Sequence, residues 1–236
     1  VQLSDMTVAG FEALLRWEHP RRGSIPPVEF IPLAEGCNII GQLGQFAMSQ
    51  AAAQLSLWQK TTGNSTVFMS VNLSSRQILR RDLVQEVRNI LANSQVAKGT
   101  FKLELTESAV MENPEQAVFI LDKIRSMGIG LSLDDFGTGH SSLAYLSRFP
   151  FDLLKIDKTF LHDERPKKFV LLKSMINMAH ELGLKVVVEG IETDRDALQL
   201  RQLHCEFAQS YLFGEPMSAE NALRLLREQN TAAVRA

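Results

Sequence analysis

The chain has 236 residues, 45% of them apolar and 22% charged, with a formal net charge of −2, an ordinary globular composition long enough for one large core. No uninterrupted apolar run reaches about 18 residues, so no membrane contact by a spanning helix is expected. Basic clusters are no longer than pairs such as Arg21-Arg22 and Lys167-Lys168, read as solvated surface, so no DNA or RNA duplex is an expected partner.

Short apolar, β-prone runs alternate with longer amphipathic ones. The first run, Gly10–Trp17, is followed by a helical pattern over Gly41–Lys60. Thr66–Leu73 predicts a strand, Asp82–Asn93 a helix, Phe101–Leu105 a strand and Pro114–Met127 a helix. Strands at Gly130–Leu133 and Leu153–Ile156 precede a helix at Pro166–Leu182. Strand Lys185–Val188, helix Asp194–Leu203, the run Phe207–Leu212 and a closing helix near Ser218–Glu228 complete the pattern. Asn113-Pro114 and Ser218 carry helix-start chemistry, and Gly128 and Gly183 stand where helices should end. The alternation implies an α/β fold of mostly parallel strands with helical crossovers, which leaves an open doubly wound sheet and a closed barrel both standing. Seven strands are visible, one short of a barrel, so an eighth is expected to be missing or cut at the N-terminus.

No charged-then-apolar leader opens the sequence. Two cysteines, Cys37 and Cys205, lack CxxC spacing, which argues against a disulfide framework and for a reducing, cytoplasmic setting. That setting suits a cytoplasmic protein or the cytoplasmic portion of a membrane-anchored parent. The five histidines show no ligand spacing; His204-Cys205 reads as core or helix end, and Met175 and Met178 as core.

The polar residues fall in a pattern. Each apolar run ends, at its C-terminal side, in a carboxylate, an amide or a lysine. These are Asn72, Glu104 with Glu107, Asp134-Asp135, Lys155 with Asp157, Glu189 and Gln209, while Glu12 sits inside the first run. In parallel α/β folds those ends share one rim, where ligands bind. Converging carboxylates repel and require protons or cations. A hard-oxygen set of this size suits Mg²⁺ or Mn²⁺ better than zinc. Two such ions would activate a water and brace the leaving oxygen of a phosphodiester, with Lys155 offsetting charge on the phosphate. Singly, each acidic residue reads as a helix cap or a surface charge, and Asp134-Asp135-Phe136-Gly137 as a turn. Caps do not require nearly every strand to end the same way.

Glu12-Ala13-Leu14-Leu15-Arg16-Trp17 resembles the motif that names the EAL domains, bacterial cyclic di-GMP phosphodiesterases. The resemblance continues through Phe30-Ile31-Pro32-Leu33-Ala34-Glu35, Val71-Asn72-Leu73-Ser74, Glu104-Leu105-Thr106-Glu107 and Asp134-Asp135-Phe136-Gly137-Thr138-Gly139. It ends with Leu154-Lys155-Ile156-Asp157, Val188-Glu189-Gly190-Ile191-Glu192-Thr193 and Gln209-Ser210-Tyr211-Leu212-Phe213-Gly214. It implies a TIM-like (β/α)8 barrel with one antiparallel strand, of which Val1-Gln2-Leu3 is the tail of a first strand incomplete at the N-terminus. It further implies one EAL domain over residues 1–236, excised from a larger protein, that cleaves cyclic di-GMP to linear pGpG.

By that resemblance Glu12, Asn72, Glu104 and Asp134 hold one Mg²⁺ or Mn²⁺, and Asp134, Asp135 and Glu189 a second. Lys155 matches the lysine beside the attacking water, Glu189 a proposed general base, and Glu107 a glutamate that steadies the loop after Asp135. Arg16 and Gln209 match substrate contacts, with Asp157 and Glu192 as supporting polar residues. A homodimer and regulatory domains of GGDEF, PAS or receiver type in the same polypeptide are the implied partners. Ser210, Glu206, Glu215 and His140 depart from the family's usual residues, and none removes a metal ligand. A cyclic di-GMP receptor without turnover, or one gated by a partner domain, is the second expectation. A Schiff-base lyase using Lys155 is the third, opposed by the carboxylates expected around that amine.

Overall fold

Strands buried on both faces must be apolar outward, against helices, and free to vary inward. In a computed structural model, which describes residues 1–137, 146–162 and 168–235, this rule holds for the central strands of the main sheet. Thr138, Gly139, His140, Lys167 and the start of the helix expected at Pro166 lie outside the described residues.

In chain order the first elements are β1 (Gly10–Ala13), β2 (Trp17–His19), β3 (Gly23–Ile25), α1 (Pro27–Gly36) and α2 (Ile40–Thr62). Then come β4 (Phe68–Asn72), α3 (Ser75–Ile78), α4 (Leu83–Asn93), β5 (Phe101–Thr106), α5 (Glu107–Met111), α6 (Pro114–Ser126), β6 (Gly130–Phe136), β7 (Leu153–Ile156), β8 (Lys185–Glu189) and β9 (Phe207–Gln209). Further helices span Thr159–His162, Lys168–Glu181, Asp194–Gln202 and Ala219–Arg235. Seven strands form one parallel sheet in the order β1-β4-β5-β6-β7-β8-β9. The N-terminal residues run antiparallel to its far edge. Val1 and Ala208 exchange two backbone bonds, Leu3 N donates to Glu206 O, and Gln2 bridges both Phe207 and Thr7. Residues 1–3 thus join β9 to the lead-in of β1, and the sheet closes as a TIM-like barrel with one antiparallel member.

The helices pack where their apolar spacing puts them. In α4, Leu83, Glu86, Val87 and Ile90 form the buried stripe at i, i+3, i+4 and i+7. Each fully buried side chain of Leu or Val size contributes about 1.5–3 kcal/mol. Asn113 caps α6 through Gln116 N, Ser218 accepts from Asn221 N, and Gly128 and Gly183 take left-handed conformations at φ 90° and 75°. His204, at φ 59°, ends a helix and Cys205 is buried.

Some boundaries differ from expectation. The run Gly10–Trp17 leaves the sheet at Ala13, and Trp17–His19 pairs instead with Gly23–Ile25 as a hairpin. Trp17 meets Phe30 edge-on at 5.9 Å, so its apolar ring packs on α1, not in the barrel. α1 was not visible in the pattern; Pro32 lies inside it and only Phe30 and Ala34 are buried. The last run ends at Gln209, where Ser210 begins a turn closed by Phe213 N on Ser210 O at 3.2 Å.

The N-terminal mouth of the barrel is filled. The Phe68 and Phe207 rings meet edge-on at 5.8 Å, with the Lys102 and Lys185 ammonium groups 5.7 and 5.8 Å from their respective centroids. Lys102 also pairs with Asp152, whose other oxygen accepts from Leu131 N at 2.9 Å. A Cβ at Gly10 would stand 2.5 Å from the Phe68 ring and 2.6 Å from its carbonyl oxygen, which cannot move aside. Gly10→Ala is therefore expected to cost about 1–3 kcal/mol by overpacking, read as a lower urea midpoint at unchanged slope.

Candidate active site

Alternation along the strands decides which side chains look into the barrel. Leu131 and Leu133 of β6, Leu154 and Ile156 of β7, and Val186 and Val188 of β8 belong to the outer hydrophobic core. Asp134, Lys155 and Glu189 therefore take the inner face, at the C-terminal end. Glu12 of β1, Asn72 of β4, Glu104 of β5 and Gln209 of β9 join them in register, with Asn72 level with Glu104 and Glu189 level with Gln209.

Lys155 is the hub. It is 2% exposed, and its Nζ lies 2.8 Å from Glu189, 3.0 Å from Glu104, 3.3 Å from Asp134 and 3.5 Å from Glu12. Glu12 also accepts from Asn72 Nδ2 at 2.6 Å and from Gln209 Nε2 at 2.7 Å. Four carboxylates thus face one ammonium, a formal surplus of three negative charges if all ionise.

The carboxyls respond unequally. Burial pushes Glu104 up to about 7, reinforced by Glu12 and Asp134 and opposed by Lys155. Burial also raises Glu189, against Lys155, and raises Asp135, with Asp134 and Asp157 adding to it. For Glu12 burial pulls upward, but Lys155, Gln209 and Asn72 outweigh it and hold the carboxyl below its ordinary value. Burial opposes the charge on Lys155, yet Glu104, Glu12, Asp134 and Glu189 carry its pKa well above the usual lysine value. An amine so firmly protonated is no Schiff-base nucleophile.

Asp135 follows at φ 54°, a left-handed conformation that a non-glycine residue adopts at a cost of about 1–3 kcal/mol. Its amide donates to Asp134 Oδ1 at 3.0 Å. Glu107, 5% exposed at the start of α5, accepts from Gly137 N at 3.3 Å and so holds the chain after Asp135. Gly137 sits at φ 91°, and a Cβ there would meet the Phe160 ring at 2.6 Å. Asp157 accepts from Thr159 N at 2.9 Å; burial raises its carboxyl, but that contact and the neighbouring backbone bonds keep it low.

Two expected site residues stand apart from the cluster. Arg16 is exposed, with its Nη1 on Leu15 O at 2.9 Å, and Glu192 is exposed on the loop after β8. Arg16 instead lines a cleft of about 650 Å³ beside the cluster, walled by Leu14, Ile31, Ile40, Asn72 and Thr106. Its apolar wall comes from α1 and α2 as well as from the strand ends, so strand patterning did not point to it. The bonds from Gln209 and Asn72 to Glu12 were likewise unforeseen, although their places at strand ends were the signal.

The donor set bears on cations directly. Among the described residues, no three His, Cys, Asp or Glu side chains form a ready ligand group as the chain stands, because the carboxylates turn onto Lys155. The chemistry nonetheless fits hard divalent ions. The donors are carboxylate oxygens in surplus over positive charge, and a flip of Asn72 would present Oδ1 where Nδ2 now lies.

A family profile described as the EAL domain matches residues 1–216. The chain belongs to the EAL domain family. It is 40% identical over 216 residues to the bifunctional diguanylate cyclase/cyclic di-GMP phosphodiesterase MucR of Pseudomonas aeruginosa, covering 91% of this chain and 31% of MucR. It is 40% identical over 230 residues to the cyclic di-GMP phosphodiesterase NbdA of the same organism, covering 95% of this chain and 29% of NbdA. The EAL domain thus spans about a third of these curated relatives. Its fold matches the solved PaMucR phosphodiesterase in complex with c-di-GMP at a TM-score of 0.83 and 40% identity, covering 89% of this chain and 86% of that one. It matches the EAL enzyme Bd1971, bound to cAMP and cyclic di-GMP, at a TM-score of 0.90 and 34% identity, covering 96% of this chain and 62% of that one. No helix among the described residues is long and apolar enough to cross a membrane.

Proposed function

We propose that this EAL domain hydrolyses one phosphodiester of cyclic di-GMP to linear pGpG in bacterial second-messenger signalling. The observation that carries the reading is the four carboxylates of Glu12, Glu104, Asp134 and Glu189 gathered on Lys155 at the barrel rim. Relatives at 40% identity bear the name of that activity. Glu12, Asn72, Glu104 and Asp134 would hold one Mg²⁺ or Mn²⁺, and Asp134, Asp135 and Glu189 a second. When bound, such ions supply charge that lowers the pKa of water and supports the leaving oxygen.

The chain's own residues do the rest. Lys155, fixed as an ammonium by its neighbours, orients the attacking water and offsets charge as the phosphate becomes five-coordinate. Glu189, whose carboxyl is raised by burial, takes the water's proton as the water oxygen bonds to phosphorus. The P–O3′ bond breaks, and the departing 3′ oxygen takes up a proton to end as a hydroxyl. Gln209 and Arg16 contact the dinucleotide, with Asp157 and Glu192 in support and the cleft beside Asn72 open to a planar base. Glu107 steadies the chain after Asp135. We place residues 1–236 as a single domain of a longer cytoplasmic polypeptide, a homodimer with regulatory domains of GGDEF, PAS or receiver type. The relatives' threefold greater length supports the longer polypeptide.

The test is turnover of cyclic di-GMP with Mg²⁺ or Mn²⁺, abolished by chelator. Glu189→Ala is expected to lower kcat by about 10²–10⁴, the range for losing a group that moves the reacting proton, and Glu12→Ala to abolish the metal-dependent turnover by removing a carboxylate that would hold an ion. Tight binding without product from folded protein would instead make the domain a cyclic di-GMP receptor.

A further inference from the structure

A single hydroxyl ties together the loops that leave β8 and β9. The ladder between these strands runs to the pair Glu189 and Gln209, and its last bond is Gly190 N to Gln209 O at 2.9 Å. Gly190, at φ 72°, then turns the chain away; a Cβ there would lie 2.3 Å from the Cβ of Lys158. From this point the tie passes to a side chain. Ser210 Oγ donates to Ile191 O and accepts from Leu212 N at 2.9 Å. Ile191 is buried in the core, so its carbonyl is a fixed point. The turn that Ser210 starts follows directly on Gln209, whose amide reaches Glu12 at 2.7 Å. The loop it grips leads from Glu189 to Glu192.

We infer that Ser210 is a positioning residue whose hydroxyl fastens the β9 turn to the β8 loop and thereby sets where Glu192 and the turn after Gln209 meet the substrate. Ser210 is only partly buried, so water replaces its bonds when the hydroxyl is removed and the fold survives. Glu189, Gln209 and Lys155 stay on their strands, held by the ladder. Loss of the clamp therefore acts on binding and leaves the chemical step alone. The kinetic consequence rests on the phosphodiesterase reading; the conformational one does not.

The experiment compares the wild-type chain with Ser210→Ala and Ser210→Thr by amide exchange and by cyclic di-GMP kinetics. In Ser210→Ala, amides 190–193 and 211–213 are expected to exchange roughly tenfold faster, as the loss of one or two ordinary hydrogen bonds implies. KM rises roughly tenfold while kcat stays within about twofold, the signature of lost binding without lost transition-state contact. Ser210→Thr keeps the hydroxyl and returns both readouts to the wild-type values. Unchanged exchange in Ser210→Ala overturns the clamp, as does a fall in kcat at constant KM or failure of threonine to rescue. A wild type that leaves cyclic di-GMP intact overturns the phosphodiesterase reading, and the exchange comparison then decides the clamp alone.

Discussion

Glu104→Gln is expected to stabilise the chelator-treated protein at pH 8 while stopping turnover. Glu104 is 2% exposed, and burial with two neighbouring carboxylates lifts its carboxyl to about 7. A carboxyl whose folded pKa exceeds its unfolded value costs nothing below the unfolded value, where both states are protonated. Between about 4.5 and 7 the unfolded chain ionises and the folded one resists, so stability falls as pH rises, and above that window the full cost stands. Glutamine keeps the shape and removes the charge. The gain is about 3 kcal/mol at pH 8, the cost of ionising a carboxyl held at about 7, and vanishes near pH 4. Urea unfolding at the two pH values checks it. A destabilised variant at pH 8 would mean that Lys155 needs this carboxylate more than the cluster suffers from it. Loss of activity together with a gain in stability is the mark of a site kept under strain for function.

Lys155→Met is expected to act in the opposite direction. Lys155 is the one cation within 3.5 Å of Glu12, Glu104, Asp134 and Glu189 among the described residues. Removing it leaves buried carboxylates uncompensated, at a cost of about 3–5 kcal/mol at pH 8. The raised pKa of Lys155 keeps it charged from acid through pH 9, so its own ionisation adds no pH dependence over that range. In the variant the carboxyl pKa values rise above their unfolded values, so the loss grows as pH rises from about 4. Denaturation followed from pH 4 to 8, in chelator, measures this. A variant as stable as wild type at pH 8 would show that the carboxylates do not depend on the ammonium. Because the two residues touch, Lys155→Met combined with Glu104→Gln should be markedly less damaging than the separate effects suggest.

How much was legible follows from burial. β5 to β8 were readable because strands covered on both faces are continuous apolar runs, broken only by inward residues such as Ser132 and Lys155. The same breaks revealed Glu104, Asp134, Lys155 and Glu189, since a polar residue at the end of a buried strand has few places to point but the rim. The β2–β3 hairpin and α1 were hidden because each is short and mostly exposed, so packing on a neighbour, not periodicity, holds them. Arg16 and Glu192 lie beyond the sheet, where spacing carries no geometry. Pattern also could not show that one lysine would gather four carboxylates. That depends on strand stagger, which brings Glu12 of β1 within 3.5 Å of Lys155, which comes four strands later in sheet order.

The most direct measurement is hydrolysis of cyclic di-GMP in ¹⁸O-labelled water by the folded domain, with Mg²⁺ or Mn²⁺ and with chelator. Attack by water on phosphorus is expected to yield pGpG carrying one ¹⁸O in its 5′-phosphate, formed only with the divalent ion. Intact cyclic di-GMP, product formed in chelator, or pGpG without the label would contradict the proposal that this carboxylate rim activates water against a phosphodiester.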